Sequence, residues 1–197
     1  MKKVDLTIES LLQEAKYMSD VESVHNEPSI FGSTDGKAVG TYFEHKFQAY
    51  LHEKYTYVEG SSAKGVDFPE LGVDMKVTSF RQPQSSCPFK SARQKIFGLG
   101  YAVLIFVYLK NDDNKNKTSN LNIQHCIFVE KEKTGDFQIT RGLRSIVDND
   151  GNVDDLVGFM FEKNLPVDEI EALKIAEDIL LSPPEQGYLT ISNALQW

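Results

Sequence analysis

The spacing of apolar residues predicts two helices in the first third of the chain. Apolar residues recur every three to four positions over residues 7 to about 19, and again over residues 38 to about 54. This period places them on one side of a helix. Thr34 or Asp35 can cap the second helix. The polar residues 19–37 are predicted to form the loop between the two helices.

The pattern then changes to an alternation of apolar and polar residues, which is typical of strands. Residues 55–58 are predicted to form a short strand, and residues 71–78 form a second one after the turn-rich GSSAKG and the segment VDFP at 66–69. We expect these pieces to form a hairpin. In the second strand Asp74 and Lys76 alternate with apolar residues, so both point to the same face.

Apolar runs also predict the elements that follow. A polar loop leads into a helix over residues 89–98, with a cap near Ser86. Residues 101–109, with AVLIFVY at their centre, are predicted to form a strand that is buried on both faces. Residues 111–122 are predicted to be an exposed polar loop. Residues 123–130 form the next predicted strand.

The C-terminal part of the chain is predicted to be helical. Residues 131–150 have no clear pattern, but apolar residues recur at helical spacing over residues 153–163 and 167–181. Pro166 occupies a favourable first-turn position of the last helix, and Pro183-Pro184 ends it.

Length and composition favour a single domain over residues 1–197, with a helical C-terminal part at about 150–182. The chain has 41% hydrophobic and 11% aromatic residues, as expected for a packed globule. It contains no apolar run of about 18 residues and no signal-like start, so we expect a cytoplasmic protein. Cys87 and Cys126 match no disulfide or zinc spacing and are expected to be reduced.

The charge distribution matters more than the net charge. A net charge of -8 argues at first against a polyanionic partner. Residues 75–111, however, contain six Lys or Arg and no Asp or Glu, a formal charge of +6. Such a positive segment can attract phosphates locally. The alternative is an ordinary solvated loop and helix face.

Asp67, Asp74 and Lys76 are the strongest candidates for a catalytic site. Hydrolysis of a phosphodiester needs a hard cation that neutralises charge and activates the attacking water. Magnesium typically binds one or two carboxylates, together with water and substrate phosphate. If the hairpin brings Asp67 back to Asp74, both can bind one Mg²⁺ ion while the Lys76 ammonium stabilises the phosphate. The alternative is two surface acids and a solvated lysine.

The bare pattern acid-x-Lys is weak evidence, because it occurs five times in the chain. The five pairs are Glu14/Lys16, Asp35/Lys37, Glu44/Lys46, Asp74/Lys76 and Asp113/Lys115. Only the fourth pair, Asp74/Lys76, follows a Gly-x-Asp turn and lies on an alternating strand after a helix that offers another carboxylate.

The residues around the fourth pair resemble the PD-(D/E)xK nucleases, and within them the type II restriction endonucleases. The match comprises Glu44 in a helix, GVDFPELGVDMKVTS at 65–79, the helix at 88–98 and the buried strand from Tyr101. It covers about residues 38–110. Val66, where the family's namesake motif has proline, departs from the pattern.

The resemblance implies a fold and a set of site residues. The fold is an α/β (α+β) restriction-endonuclease-like core at about residues 38–130, with a mixed central β-sheet flanked by α-helices. Asp67 and Asp74 would be magnesium ligands, Lys76 the catalytic lysine and Glu44 an accessory acid. Glu44 can equally be an ordinary exposed residue at the edge of its helix.

The segment after the candidate strand carries side chains suited to nucleic acid. Arginine and glutamine read base edges, and serine and lysine contact phosphates. The alternative is a polar loop that enters a helix, and Gln94 can instead face the active site, as in some related nucleases. The candidate DNA contacts are Arg81, Gln82, Gln84, Ser85, Ser86, Lys90, Arg93, Gln94 and Lys95.

The resemblance implies a Mg²⁺-dependent endonuclease that cuts double-stranded DNA to leave 5'-phosphates. Such enzymes commonly act as homodimers on palindromic sites, and a DNA methyltransferase would belong to the same system. Two alternatives stay open: a repair or recombination nuclease that reads DNA structure, and a noncatalytic DNA-binding relative. A cysteine hydrolase is excluded because His125 and Cys126, adjacent in a predicted strand, point to opposite faces. The chain has no P-loop or GxGxxG motif.

Overall fold

In the part of the chain that the structure describes, strands and helices are interspersed up to residue 129, and helices follow from there. The computed structural model describes residues 3–60, 65–83 and 89–190. Within them the strands are β1 (Val4–Asp5), β2 (Asn26–Glu27), β3 (Tyr55–Thr56), β4 (Val73–Ser79), β5 (Ala102–Asp113) and β6 (Thr118–Val129). The helices are α1 (Ile8–Ser23), α2 (Gly36–Lys54), α3 (Ala92–Phe97), α4 (Phe137–Asp148), α5 (Val153–Glu162) and α6 (Glu169–Leu181).

The strands form two sheets, and parallel and antiparallel strand pairs both occur. The larger sheet has the strand order β2-β6-β5-β4, and β2 runs antiparallel to β6. In the smaller sheet β1 and β3 run parallel. α2 packs on β4, the terminal strand of the larger sheet. The predicted α/β class, with a mixed sheet flanked by helices, is confirmed.

The prediction of a polar loop at residues 111–122 is wrong. β5 continues to Asp113, and β6 already begins at Thr118. The polar side chains of this hairpin bond to each other: Ser119 donates a hydrogen bond of 2.6 Å to Asp112, which also pairs with Lys110. Their polarity therefore marks an exposed hairpin and not a break in the strands.

The hairpin before β4 is confirmed in part. Phe68 pairs antiparallel with Val73, with backbone N–O distances of 2.9 and 3.2 Å. Gly72 has a φ of +62° in the turn between them, a conformation that glycine adopts without strain. The prediction that residues 55–58 form a strand paired with β4 is wrong, because β3 pairs with β1 instead.

Capping residues set the helix starts. Asp35 caps α2 by accepting a hydrogen bond of 2.9 Å from Lys37 N, as one of the two predicted caps. α3 is shorter than predicted because Ser91, and not a residue near Ser86, caps it. α6 begins after the cap Asp168, two residues beyond Pro166. Residues 131–150, which showed no clear pattern in the sequence, contain a single 3-10 turn and α4.

The chain divides into two compact units. Unit 1 comprises Met1–Gln84 and Val103–Phe128, and unit 2 comprises Ser85–Ala102 and Val129–Trp197. In the described ranges, no helix combines the length and apolar character needed to cross a bilayer.

An aromatic cluster forms the centre of unit 1. The ring of Phe106 on β5 meets the rings of Phe43 and Phe47 on α2 edge-on, at centroid distances of 4.8 and 5.5 Å. All three side chains are fully buried. The cluster holds α2 against the sheet.

The core of unit 2 is built by helices α3 to α6. α5 packs against both α4 and α6, and α3 packs against α4. The buried apolar residues are Ala92, Ile96, Ile139, Leu143, Leu156, Met160, Leu165, Ala172, Ile175, Ala176 and Ile179.

We expect Phe106→Ala to destabilise the protein by about 3–5 kcal/mol, because it leaves a cavity between the two α2 rings. Val24→Ala, at a side chain that is 81% exposed, should change the free energy of unfolding by less than about 0.5 kcal/mol. Urea denaturation of both variants measures the difference. Equal stability of the two variants would contradict the packing described for unit 1.

Candidate active site

Asp74 and Lys76 lie side by side on β4. The Lys76 Nζ is 2.7 Å from Asp74 Oδ2. The Asp74 side chain is 5% exposed, whereas that of Lys76 is 50% exposed. The amine is therefore reachable from solvent, with the carboxylate behind it. The predicted shared face of the two side chains is consistent with this contact.

Asp67 reaches the same strand through the turn before it. The pairing of Phe68 with Val73 turns the chain back, and Asp67 Oδ2 accepts a hydrogen bond of 2.8 Å from Met75 N. Met75 lies between Asp74 and Lys76, so the Asp67 carboxylate lies beside the backbone that carries both.

Gly60 supports Asp67 from behind, a role that sequence reasoning missed. Gly60 N donates a hydrogen bond of 2.8 Å to Asp67 O. A Cβ on residue 60 would lie 1.8 Å from the carbonyl oxygen of Val66, closer than any contact between nonbonded atoms. Only glycine allows this approach, and a glycine within a turn-rich segment gave no signal of it.

Glu44 lies within electrostatic range of the other three groups. It is on α2, which packs on β4. Burial raises the pKa of the Glu44 carboxyl, the charge of Asp67 raises it further, and Lys76 opposes the rise. Glu44 therefore interacts electrostatically with Asp67 and Lys76, the residues with which the sequence analysis grouped it.

Burial and mutual repulsion perturb the carboxylates of this cluster. Burial raises the pKa of Asp74 to about 6, against the effect of the Lys76 ammonium, and Asp67 adds to the rise. Burial alone would lower the pKa of Lys76, but the carboxylates of Asp74, Asp67 and Glu44 raise it above its usual value. When ionised, the three carboxyl groups outnumber the single ammonium, so this partly buried cluster carries a net negative charge.

This donor set fits a hard divalent cation. Asp67 and Asp74 supply carboxylate oxygens, the ligands such ions prefer, and a cation would relieve their repulsion. In the part of the chain that the structure describes, no group of three or more His, Cys, Asp or Glu side chains is arranged to hold a metal ion. A cation here would therefore take further ligands from water and a substrate phosphate, as magnesium commonly does.

Two other acid-x-Lys pairs serve helix packing. Lys46 forms an ion pair of 2.7 Å with the buried Glu22 of α1. Glu14 of α1 forms one of 2.5 Å with Lys54 of α2. Both contacts link α1 to α2, and neither joins the two members of its acid-x-Lys pair. The Asp74/Lys76 pair differs because its two side chains form an ion pair with each other.

The candidate DNA contacts in unit 1 lie just after β4. Arg81 and Gln82 are both exposed. Gln84, Ser85 and Ser86 lie outside the described residues. The exposed pair leaves β4 at the end opposite to Val73.

The candidate DNA contacts in unit 2 are partly engaged within that unit. Arg93 forms an ion pair of 2.6 Å with Asp178. Gln94 Oε1 accepts a hydrogen bond of 2.7 Å from Lys90 N. Lys90 is exposed and Lys95 is half-buried. To contact DNA, Arg93 would have to exchange its carboxylate partner for a phosphate.

Comparison with known proteins identifies the family of this chain. A family model described as type II restriction enzyme NspV matches residues 5–197. The type II restriction enzyme NspV of Nostoc sp. (strain ATCC 29411 / PCC 7524) is 65% identical over 192 residues, which cover 98% of this chain and 87% of that enzyme. No solved structure matches the chain. The chain therefore belongs to the NspV family of type II restriction enzymes and is a restriction endonuclease.

Proposed function

We propose that the chain is a Mg²⁺-dependent endonuclease of the PD-(D/E)xK type, which hydrolyses double-stranded DNA to leave 5'-phosphates. Asp67 and Asp74 bind the metal, Lys76 is the catalytic lysine and Glu44 is the accessory acid. The observation that carries the proposal is the convergence of Asp67, Asp74 and Lys76 on one short stretch of β4.

Each residue of the cluster has a distinct task in this proposal. A bound Mg²⁺ ion supplies charge neutralisation and lowers the pKa of an attacking water. The half-exposed ammonium of Lys76 contacts the scissile phosphate and stabilises the negative charge that develops on it. Asp74, paired with Lys76 at 2.7 Å, holds that ammonium in place. Met75 N fixes the Asp67 carboxylate through the bond of 2.8 Å.

Glu44 lies on α2, whereas Asp74 and Lys76 lie on β4 and Asp67 lies in the turn before β4. Its half-buried carboxyl interacts electrostatically with Asp67 and Lys76. Protonated Glu44 can donate a hydrogen bond, and ionised Glu44 can accept one from a water. Since it belongs to α2 and not to β4, any shift of α2 on the sheet alters its distance to the reacting groups. We assign it the role of orienting water.

The remaining parts of the proposal concern partners. Exposed Arg81 and Gln82 contact the DNA immediately beyond β4, followed by Gln84, Ser85 and Ser86. On unit 2 the proposed contacts are Lys90, Arg93, Gln94 and Lys95. A homodimer would match the twofold symmetry of a palindromic site. A DNA methyltransferase of the same system would protect the host DNA.

A cleavage assay with phage DNA tests the metal and the product chemistry. We expect discrete fragments with Mg²⁺ and none after addition of EDTA. Because the fragments should carry 5'-phosphates, ligase should rejoin them without prior treatment by a kinase. Cutting that persists in excess EDTA, or ends that ligate only after phosphorylation, would refute the proposal. Cleavage confined to branched or damaged DNA would favour a structure-specific nuclease.

A further inference from the structure

The two faces of β4 have different neighbours. A Cβ on Gly40 of α2 would lie 3.7 Å from Val77 Cβ, so Val77 faces α2. Side chains alternate along a strand, so Lys76 and Val77 point to opposite faces of β4. Phe80 is four residues further on and shares the face of Lys76, at a Cα separation of about 13 Å given the rise of a strand.

Phe80 is an exposed aromatic residue on a fixed backbone. Its backbone N donates a hydrogen bond of 2.7 Å to Tyr108 O of β5, which extends the pairing of β4 by one residue. Its side chain is nevertheless 55% exposed. The Phe80 side chain is therefore exposed to solvent although its backbone is hydrogen-bonded to the sheet.

His125 of β6 completes a small aromatic surface. His125 lies on β6 and is exposed. The ring of His125 is 6.3 Å from that of Phe80, at an angle of 41°. We call Phe80 and His125 the aromatic pair; it bridges two strands between which β5 lies.

We propose that the aromatic pair contacts the DNA duplex that this restriction endonuclease cuts. The placement of the cut at Lys76 rests on the proposed function. From Lys76, a separation of about 13 Å corresponds to roughly four base-pair steps of about 3.4 Å. The pair therefore contacts DNA inside or next to the recognition sequence, where a phenylalanine ring can pack on the methyl group of thymine or on a sugar.

Charge favours DNA over another occupant of this surface. Within unit 1, Phe80 lies in the stretch of residues 75–84, which carries Lys76 and Arg81 and no Asp or Glu. The residue that follows it is the exposed Arg81. A duplex that contacts Phe80 thus also meets a cation, whereas a second copy of this acidic chain would gain little from that charge.

The test compares Phe80→Ala with Phe161→Ala. Phe161 on α5 is a matched control because it is also a phenylalanine and is 44% exposed. The probe is a duplex that spans a cut mapped in phage DNA, and a shuffled duplex of the same composition serves for comparison. Dissociation constants are measured by fluorescence anisotropy with Ca²⁺ in place of Mg²⁺. Light scattering gives the oligomeric state of each variant.

We expect Phe80→Ala to weaken binding of the cut-site duplex about tenfold, the loss typical of one base contact, with a smaller loss for the shuffled duplex. His125→Ala should weaken it in the same direction, and Phe161→Ala should have no effect. Unchanged affinity in both Phe80→Ala and His125→Ala would overturn the proposal. So would a change of oligomeric state at unchanged affinity, which would assign the surface to a second copy.

The two proposals fail in different ways. If Lys76→Ala still cuts, the assignment of the catalytic site is wrong, but the affinities of Phe80→Ala stay informative. If Lys76→Ala binds without cutting while Phe80→Ala binds as well as the unmodified protein, only the aromatic contact is wrong.

Discussion

Lys76→Ala and Asp74→Ala should each reduce DNA cleavage by about 10²- to 10³-fold, the scale of losing a group that stabilises the transition state. Lys76→Ala removes the ammonium that is 2.7 Å from Asp74. Asp74→Ala removes a proposed metal ligand and the anchor of that ammonium. Cleavage rates are measured in single turnover with enzyme in excess, so that binding and product release do not limit them.

Lys37→Ala is the control for both variants. Lys37 also belongs to an acid-x-Lys pair, with Asp35, but it is exposed near the start of α2. It should cut at the unmodified rate. Binding of the cut-site duplex should persist in all three variants, because none of them removes a residue proposed to contact the DNA beyond β4 or on unit 2. Full cleavage by Lys76→Ala or by Asp74→Ala would remove the catalytic assignment.

Gly60→Ala should reduce cleavage about 100-fold and raise the Mg²⁺ concentration needed for half-maximal rate. The added methyl would lie 1.8 Å from Val66 O, so the backbone that carries Asp67 must move. A displacement of about 1 Å at a reacting centre can cost about 10²-fold in rate. A Mg²⁺ titration of the single-turnover rate separates a displaced metal ligand from a general loss of folded protein.

Gly158→Ala is the matched control for this change. A Cβ at Gly158 of α5 meets no atom within 4 Å. The substitution should leave cleavage and its Mg²⁺ dependence unchanged, and it should raise helix stability by up to about 1 kcal/mol. If Gly60→Ala shows the Mg²⁺ dependence of the unmodified enzyme, Gly60 has no part in placing Asp67.

Local patterns predicted the part of the site that lies on one strand. The alternation around Asp74 and Lys76 placed both side chains on one face, because a strand has a fixed period of two. The cap at Asp35 was also visible, since its side chain acts on the next turn of the same helix. These features depend on residues close in sequence.

Features that depend on distant residues or on the backbone were not predictable in the same way. The bond from Met75 N to Asp67 requires a turn whose geometry the side chains do not reveal. The close approach at Gly60 involves a backbone atom of Val66. The polar hairpin at 111–122 was mistaken for a loop because its polar side chains pair with each other. The exposure of Phe80 depends on tertiary packing.

A crystal structure of the protein soaked with Mn²⁺, with anomalous scattering recorded at the manganese edge, tests most directly whether two aspartates of unit 1 bind the catalytic metal. We expect an anomalous peak in contact with carboxylate oxygens of both Asp67 and Asp74, within reach of the Lys76 amine, and its loss in Asp74→Ala. A peak held by other side chains, or the same peak retained in Asp74→Ala, would contradict the assignment.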